Sequence, residues 1–207
     1  MPLLQNAVFL TTVARLRELP ADSIAEVAFA GRSNAGKSSA LNTLAGRIRL
    51  AFVSKTPGRT QHLNYFTVAP GKYLVDLPGY GFAKTPEAVQ KEWKRLLVPY
   101  LEGRVPLKGL LVIMDCRHPM TELDCRMLNW FAPTGRPLHV LLSKADKLSR
   151  QAQNATLGEV RAALKPLGAQ CSAQLFSSLK KTGVAECESV LARWLGLAPP
   201  TPNGVVS

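Results

Sequence analysis

The stretch EVAFAGRSNAGKSSALNTL, residues 26–44, decides the fold. An apolar run ends on Gly31, and Gly36, Lys37 and Ser38 follow in the spacing G-x-x-x-x-G-K-[ST] at the start of a helical pattern. Glycines let a backbone wrap closely around an anion, so that successive N–H groups and the helix N-terminus face phosphate oxygens. In this pattern the ammonium of Lys37 reaches the β- and γ-phosphates and Ser38 offers its hydroxyl to Mg²⁺. Arg32, Ser33, Asn34 and Ala35 complete the loop. Four fixed positions recur by chance in roughly one 200-residue chain in a hundred. A strand before them and a helix after make coincidence rarer still.

Outward from this loop, short β-type runs alternate with amphipathic stretches, the signature of a mostly parallel sheet with helices on both faces. The pattern predicts an α/β fold with six strands, at 26–30, 63–68, 73–76, 110–115, 138–142 and 174–176, and helices at 37–45, 86–102, 122–131, 151–164 and 184–194. In the second helix Trp93, Leu96, Leu97, Tyr100 and Leu101 share one face, opposite Lys91, Lys94 and Arg95. A chain of 207 residues suits one core. Residues 1–22 read as an N-terminal extension packed on or near a single domain at 23–197, with AVFLTTVARLRELP open to reading as an extra strand followed by a turn or short helix. Residues 198–207, rich in Pro, read as a flexible tail.

Lys and Arg total 26 against 14 Asp and Glu, a formal charge of +12 that suits a polyanionic partner without choosing among RNA, DNA and anionic lipid. Cys116, Cys125, Cys171 and Cys187 have no redox or zinc spacing and no secretory signal precedes them, so they read as reduced thiols in the cytoplasm. No apolar run reaches the roughly 18 residues of a membrane span. His62, His118 and His139 have no metal-binding spacing.

Two further motifs follow in order. VDLPGYGFAK, residues 75–84, contains a D-x-x-G turn formed by Asp76, Leu77, Pro78 and Gly79. LLSKADKL, residues 141–148, supplies Ser143, Lys144, Ala145 and Asp146, with Lys144 and Asp146 in K-x-D spacing. A carboxylate at Asp146 can accept hydrogen bonds from guanine N1–H and N2–H₂, which adenine lacks, and the Lys144 stem can lie over the base. Phe176, Ser177 and Ser178 in LFSSLKKTG resemble the segment with which GTPases make a backbone contact to guanine O6. Each motif lies at a predicted strand end, where open α/β sheets bind ligands. Tyr80 stands where Ras-like enzymes carry a water-orienting glutamine, and a phenol with a pKa near 10 is no base at neutral pH. Hydrolysis is therefore expected to be slow without help. Asp115, Arg117 and Asp124 read as structural residues at a strand end and helix start.

With these residues in place, the chain resembles the EngB-type ribosome-biogenesis GTPases, relatives of Era and TrmE. The resemblance rests on GRSNAGKSSALN, SKTPGRTQHLNYF, VDLPGYGFAK, DCRHPMTELD and FSSLKKTG, in the family's order and spacing. It implies GTP and GDP as ligands, with Mg²⁺ held by Ser38, Thr60 and Asp76. Gly58, Arg59, Thr60, Gln61 and His62 then border the nucleotide in the first switch, with Thr56 the competing Mg²⁺ ligand. Lys37, Thr60 and the Gly79 N–H serve catalysis. At the loop position of Asn34, TrmE-like proteins bind K⁺, which implies K⁺ stimulation here. Ser143 departs from the usual Asn or Thr, a change expected to loosen the tie between its loop and the phosphate loop. The resemblance also implies a monomer acting in assembly of the large ribosomal subunit or its precursor rRNA, linked to cell division and septation. Arg47, Arg49, Lys55, Arg59, Lys84, Lys91, Lys94 and Arg95 near the switches are the candidate RNA contacts. The competing readings are a septin-like or membrane-associated division GTPase, and an ATPase or nucleotide kinase on the same loop. The Lys144–Asp146 motif argues against the last.

Overall fold

A computed structural model describes residues 4–47, 50, 62–80 and 87–198, with the backbone alone for 87–94. Seven strands form one sheet: β1 Val8–Val13, β2 Ala25–Gly31, β3 Leu63–Ala69, β4 Lys72–Asp76, β5 Leu107–Asp115, β6 Leu138–Ser143 and β7 Cys171–Leu175. The helices are α1 Lys37–Leu44, α2 Glu87–Gly103, α3 Glu122–Phe131, α4 Arg150–Leu164 and α5 Val184–Leu195. Their spatial order across the sheet is β1-β3-β4-β2-β5-β6-β7. β1, β3 and β4 pair antiparallel, and β4, β2, β5, β6 and β7 run parallel.

The predicted class is therefore observed, with seven strands in place of six. The additional strand is β1, which pairs with β3 at the sheet edge through a bulge between Phe9 and Thr11. A bulge and an exposed edge disrupt the alternation by which a strand is recognised. Val8, Phe9 and Leu10 are all exposed. β7 also begins earlier than expected, and Phe176 lies just beyond its end.

Period-two alternation in the central strands distributes side chains to two cores. Ala28, Ala30, Leu110, Val112 and Met114 face Leu97 and Tyr100 of α2, Leu128 and Phe131 of α3, and Val160 and Leu164 of α4. Val27, Phe29, Leu111 and Ile113 face Leu41 and Leu44 of α1 and Leu191 and Leu195 of α5. The predicted apolar face of α2 is buried at Leu96, Leu97, Tyr100 and Leu101. At the N-terminal end of β2, the buried Glu26 carboxylate accepts from Tyr65 Oη, Tyr100 Oη and the Arg104 guanidinium. A charge that far from water is tolerated only because every lone pair is matched. The network anchors β3 and α2 to β2 at the end of the sheet opposite the phosphate loop.

Candidate nucleotide-binding site

The strand order brings the C-terminal ends of β2, β4, β5 and β6 side by side, which places three distant motifs in one crevice. The phosphate loop leaves β2 at Gly31, where an added Cβ would lie 2.9 Å from the Ile113 carbonyl oxygen. It enters α1 through Gly36 at φ 100°, a left-handed conformation that suits glycine. Lys37 at the first position of α1 bonds its ammonium to the Asp76 carboxylate at the end of β4. The two charged groups read separately from the sequence are thus in contact. Leu77 and Pro78 are buried, and the Leu77 N–H bonds the Phe29 carbonyl at 3.0 Å. Gly79 packs directly on the loop, since a Cβ there would lie 3.3 Å from Ser33 Oγ and 3.6 Å from the Gly31 carbonyl oxygen.

The base-side motif is fastened to the same loop. Ser143 Oγ–H donates to the Ala35 carbonyl, with the Met114 carbonyl at 3.1 Å as the other acceptor for its single proton. The expected loosening at Ser143 is corrected, because a short hydroxyl bridges this gap. Lys144 adopts a left-handed conformation at φ 58° and extends its Nζ to the Asn34 carbonyl at 2.7 Å and to Asp115 Oδ2 at 2.8 Å. Hydrogen bonds from Arg117, followed by Lys144, hold the Asp115 carboxyl well below the usual carboxylate range despite its burial. Asp146 is oriented from the other side: Ser177, fully buried, donates its hydroxyl to Asp146 Oδ1 at 2.5 Å. The Ala145 N–H bonds the Phe176 carbonyl at 3.1 Å, and the Phe176 ring is buried in the second core. Phe176 is therefore a packing residue that sets the height of the loop, and Ser178 beside it is half-buried.

Gly58, Arg59, Thr60 and Gln61 lie outside the described residues, as do Thr56, Arg49, Lys55 and Lys84 and the side chains of Lys91 and Lys94. His62 precedes β3 and is exposed, as are Arg47 and Arg95. Among the described residues no group of three or more His, Cys, Asp or Glu forms a metal cage. One carboxylate and one hydroxyl beside a phosphate loop fit Mg²⁺, which binds few protein ligands and completes its shell with phosphates and water. Ser33 Oγ, buried with no hydrogen-bond partner, lies on the wall shared by the phosphate loop and Gly79. An unsatisfied polar atom at that position suits an anion-binding loop.

Tyr80 is settled by its burial. Its side chain is 6% exposed and its Oη–H donates to Asp124 Oδ1 at 2.9 Å. Burial, reinforced by the Asp124 carboxylate, pushes the phenol far above its ordinary range. The phenol therefore packs inward and cannot serve as a base. Asp124 and Thr121 form a reciprocal cap at the start of α3, as expected of structural residues. Sequence reasoning missed that Asp115 orients Lys144. Its only visible signal was an acid at the C-terminal end of a central strand.

Residues 26–144 match the family profile described as 50S ribosome-binding GTPase. A relative named "Probable GTP-binding protein EngB" in Dechloromonas aromatica is 67% identical over 199 residues, covering 95% of this chain and 90% of its own. The chain belongs to the EngB family of GTP-binding proteins. An EngB of Methylobacillus flagellatus is 60% identical over 195 residues, covering 94% of each chain. Among solved structures, a crystal structure of a probable GTP-binding protein EngB superposes with TM-score 0.66 at 20% identity, covering 83% of this chain and 99% of that one. Era in complex with MgGDPNP and nucleotides 1506–1542 of 16S ribosomal RNA superposes with TM-score 0.66 at 21% identity, covering 87% of this chain and 59% of that one. At such identities these likenesses carry the fold alone. Membership in the EngB family makes the protein a GTP-binding protein and a GTPase. Among the described residues no helix is long and apolar enough to cross a membrane.

Proposed function

We propose that this EngB-family GTPase is a Mg²⁺-dependent switch in assembly of the large ribosomal subunit, contacting the subunit or its precursor rRNA as a cytoplasmic monomer. The observation that carries the reading is the match of 119 consecutive residues, 26–144, to a family described by 50S ribosome binding. The +12 charge supports it, because a net excess of this sign suits a surface that neutralises rRNA phosphates. Gly31 to Ser38 hold the phosphates, and Ser143 to Asp146 with Ser177 and Ser178 hold the guanine, on a loop whose height Phe176 sets from the core. Ser38, Thr60 and Asp76 hold Mg²⁺, which when bound neutralises charge on the β- and γ-phosphates. Lys37 contributes a second positive charge there, and the N–H groups of Thr60 and Gly79 report the presence of the γ-phosphate. Gly58, Arg59, Gln61 and His62 line the first switch.

The inward-turned Tyr80 leaves no side chain at that position to orient water, so turnover depends on a cation or on the partner. The Asn34 position, exposed at the rim of the loop, is the cation's place. Turnover in K⁺ is expected to exceed turnover in Na⁺, and equal rates would remove the cation from the account. On this reading, loss of the protein impairs septation indirectly, through failed subunit assembly. Depleting the protein from growing cells tests this order of events. Accumulation of immature large-subunit particles before septation fails supports it. A normal subunit profile in cells that already fail to septate would favour a division GTPase instead.

A further inference from the structure

The segment Asp115–Asp124 belongs to no nucleotide motif, yet its residues touch all three. Asp115 accepts from Lys144 of the base motif at 2.8 Å. The His118 carbonyl accepts from Arg32 of the phosphate loop at 3.2 Å. Asp124 accepts from Tyr80, the residue after the D-x-x-G glycine, and pairs with Arg32 Nε at 3.4 Å, a contact that is ionic without hydrogen-bond geometry.

Arg32 and Tyr80 are also joined by backbone. The Tyr80 N–H bonds the Gly31 carbonyl at 3.2 Å, and the Ser33 N–H bonds the Tyr80 carbonyl at 3.3 Å. Two loops are thus stitched together, and the side chains on either side of the stitch converge on one carboxylate with no solvent exposure. Asp124 is held on both oxygens: Oδ1 accepts from Tyr80, and Oδ2, the oxygen that faces Arg32, accepts from the Thr121 N–H at 3.0 Å and from Thr121 Oγ1 at 2.7 Å. A helix cap needs only the contacts with Thr121. The contacts with Tyr80 and Arg32 reach 44 and 92 residues along the chain and serve no cap.

We propose that Asp124 is a positioning residue for GTP hydrolysis. It acts through Tyr80 and Arg32 to hold Gly79 against the phosphate loop, at the height where its N–H meets a γ-phosphate. The consequence lies in discrimination between nucleotides. GDP has no γ-phosphate for Gly79 to meet, so loss of the tether leaves GDP binding nearly unchanged. The tether's loss instead weakens a GTP analogue and slows turnover, because the D-x-x-G turn must then be ordered at the time of binding.

Tyr80→Phe removes the hydroxyl donor alone and keeps the ring in the core. Asp124→Asn removes the charge facing Arg32, and because its single amide oxygen can accept from Tyr80 or from the Thr121 N–H but not from both, it also breaks either the tether or the cap. Tyr73→Phe, which deletes the hydroxyl that donates to Asp22 at the end of the sheet opposite the phosphate loop, serves as a control for destabilisation of comparable size. The measurements are dissociation constants for fluorescent GDP and a non-hydrolysable GTP analogue, single-turnover hydrolysis, and melting temperature for each variant. Loss of one buried hydrogen bond to a charged group predicts about a tenfold weaker analogue and a similarly slower turnover in Tyr80→Phe, with GDP affinity held within about twofold. Tyr73→Phe should lower the melting temperature without moving the ratio of the two affinities. If Asp124→Asn does not fold, Tyr80→Phe alone decides. A lowered melting temperature in Tyr80→Phe, with the analogue-to-GDP ratio and turnover unchanged, would reduce Asp124 to a helix cap and overturn the proposal.

Discussion

Replacing Ser177 by alanine tests how guanine is recognised. Asp146 is 9% exposed at its side chain, and Ser177 donates to it at 2.5 Å from a fully buried position. The Ser177 rotamer is in turn fixed by the Lys180 N–H, which donates to Oγ at 3.0 Å. Without the hydroxyl, the carboxylate is left with Lys147 at 3.8 Å, whose side chain is 57% exposed and therefore a weak director. A hydrogen bond to a charged group is worth about 1.5–3 kcal/mol. The GDP dissociation constant should consequently rise roughly 10- to 100-fold. Titration with fluorescent GDP reads the constant. A parallel titration with inosine diphosphate, which lacks the N2 amine, reads whether the loss occurs at Asp146. In Ser177→Ala the preference for GDP over inosine diphosphate should narrow. A GDP affinity within about twofold of the wild type, or a loss that leaves the preference intact, would refute the reasoning.

Two further outcomes concern charge and pH. Asp115→Asn releases Lys144 from its counter-charge and should weaken GDP about tenfold at neutral pH. Because the Asp115 carboxyl is held below its ordinary range, its stabilising contribution is present above an unfolded pKa of about 3.9 and is lost as pH falls through the lower folded value. Urea unfolding should therefore show a stability gap between wild type and Asp115→Asn that is flat from about pH 8 to 5 and closes only in stronger acid. His139, 3% exposed and held between Ser172 and Gln174, is pushed down to about 4 by burial. Its depressed value means that stability falls as pH drops from about 6.5 towards 4, by about 3 kcal/mol in all. His139→Gln should flatten that part of the unfolding profile, and an unchanged profile would count against a buried neutral imidazole.

The phosphate loop was legible because its signal is local, with an apolar strand, two spaced glycines and a helix start within nineteen residues. The five helices were legible for the same reason, since an apolar stripe repeats within each of them. β1 was legible only as one alternative for the N-terminal segment, because Val8, Phe9 and Leu10 are exposed at an edge where neither face is fully covered. The first residues of β7, Cys171, Ser172 and Ala173, are small or polar and have little strand character, whereas Phe176 beyond them looks like strand and packs as core. The contacts that define the site were the least visible. Ser143 meets Ala35 across 108 residues and Asp124 meets Tyr80 across 44. No periodicity within either segment encodes such a pairing, because the sheet order creates it. The sequence showed which groups carry the chemistry but not which residues hold them in place.

The central claim is that γ-phosphate state controls contact with the large subunit, and co-sedimentation of the purified protein with isolated ribosomal subunits tests it most directly. The comparison is a non-hydrolysable GTP analogue against GDP, repeated at rising salt. The account predicts binding to the large subunit with the analogue, release with GDP, and an affinity that falls steeply as salt displaces contacts to rRNA phosphates. Binding that is equal in both nucleotides, or absent from the large subunit in both, would contradict it.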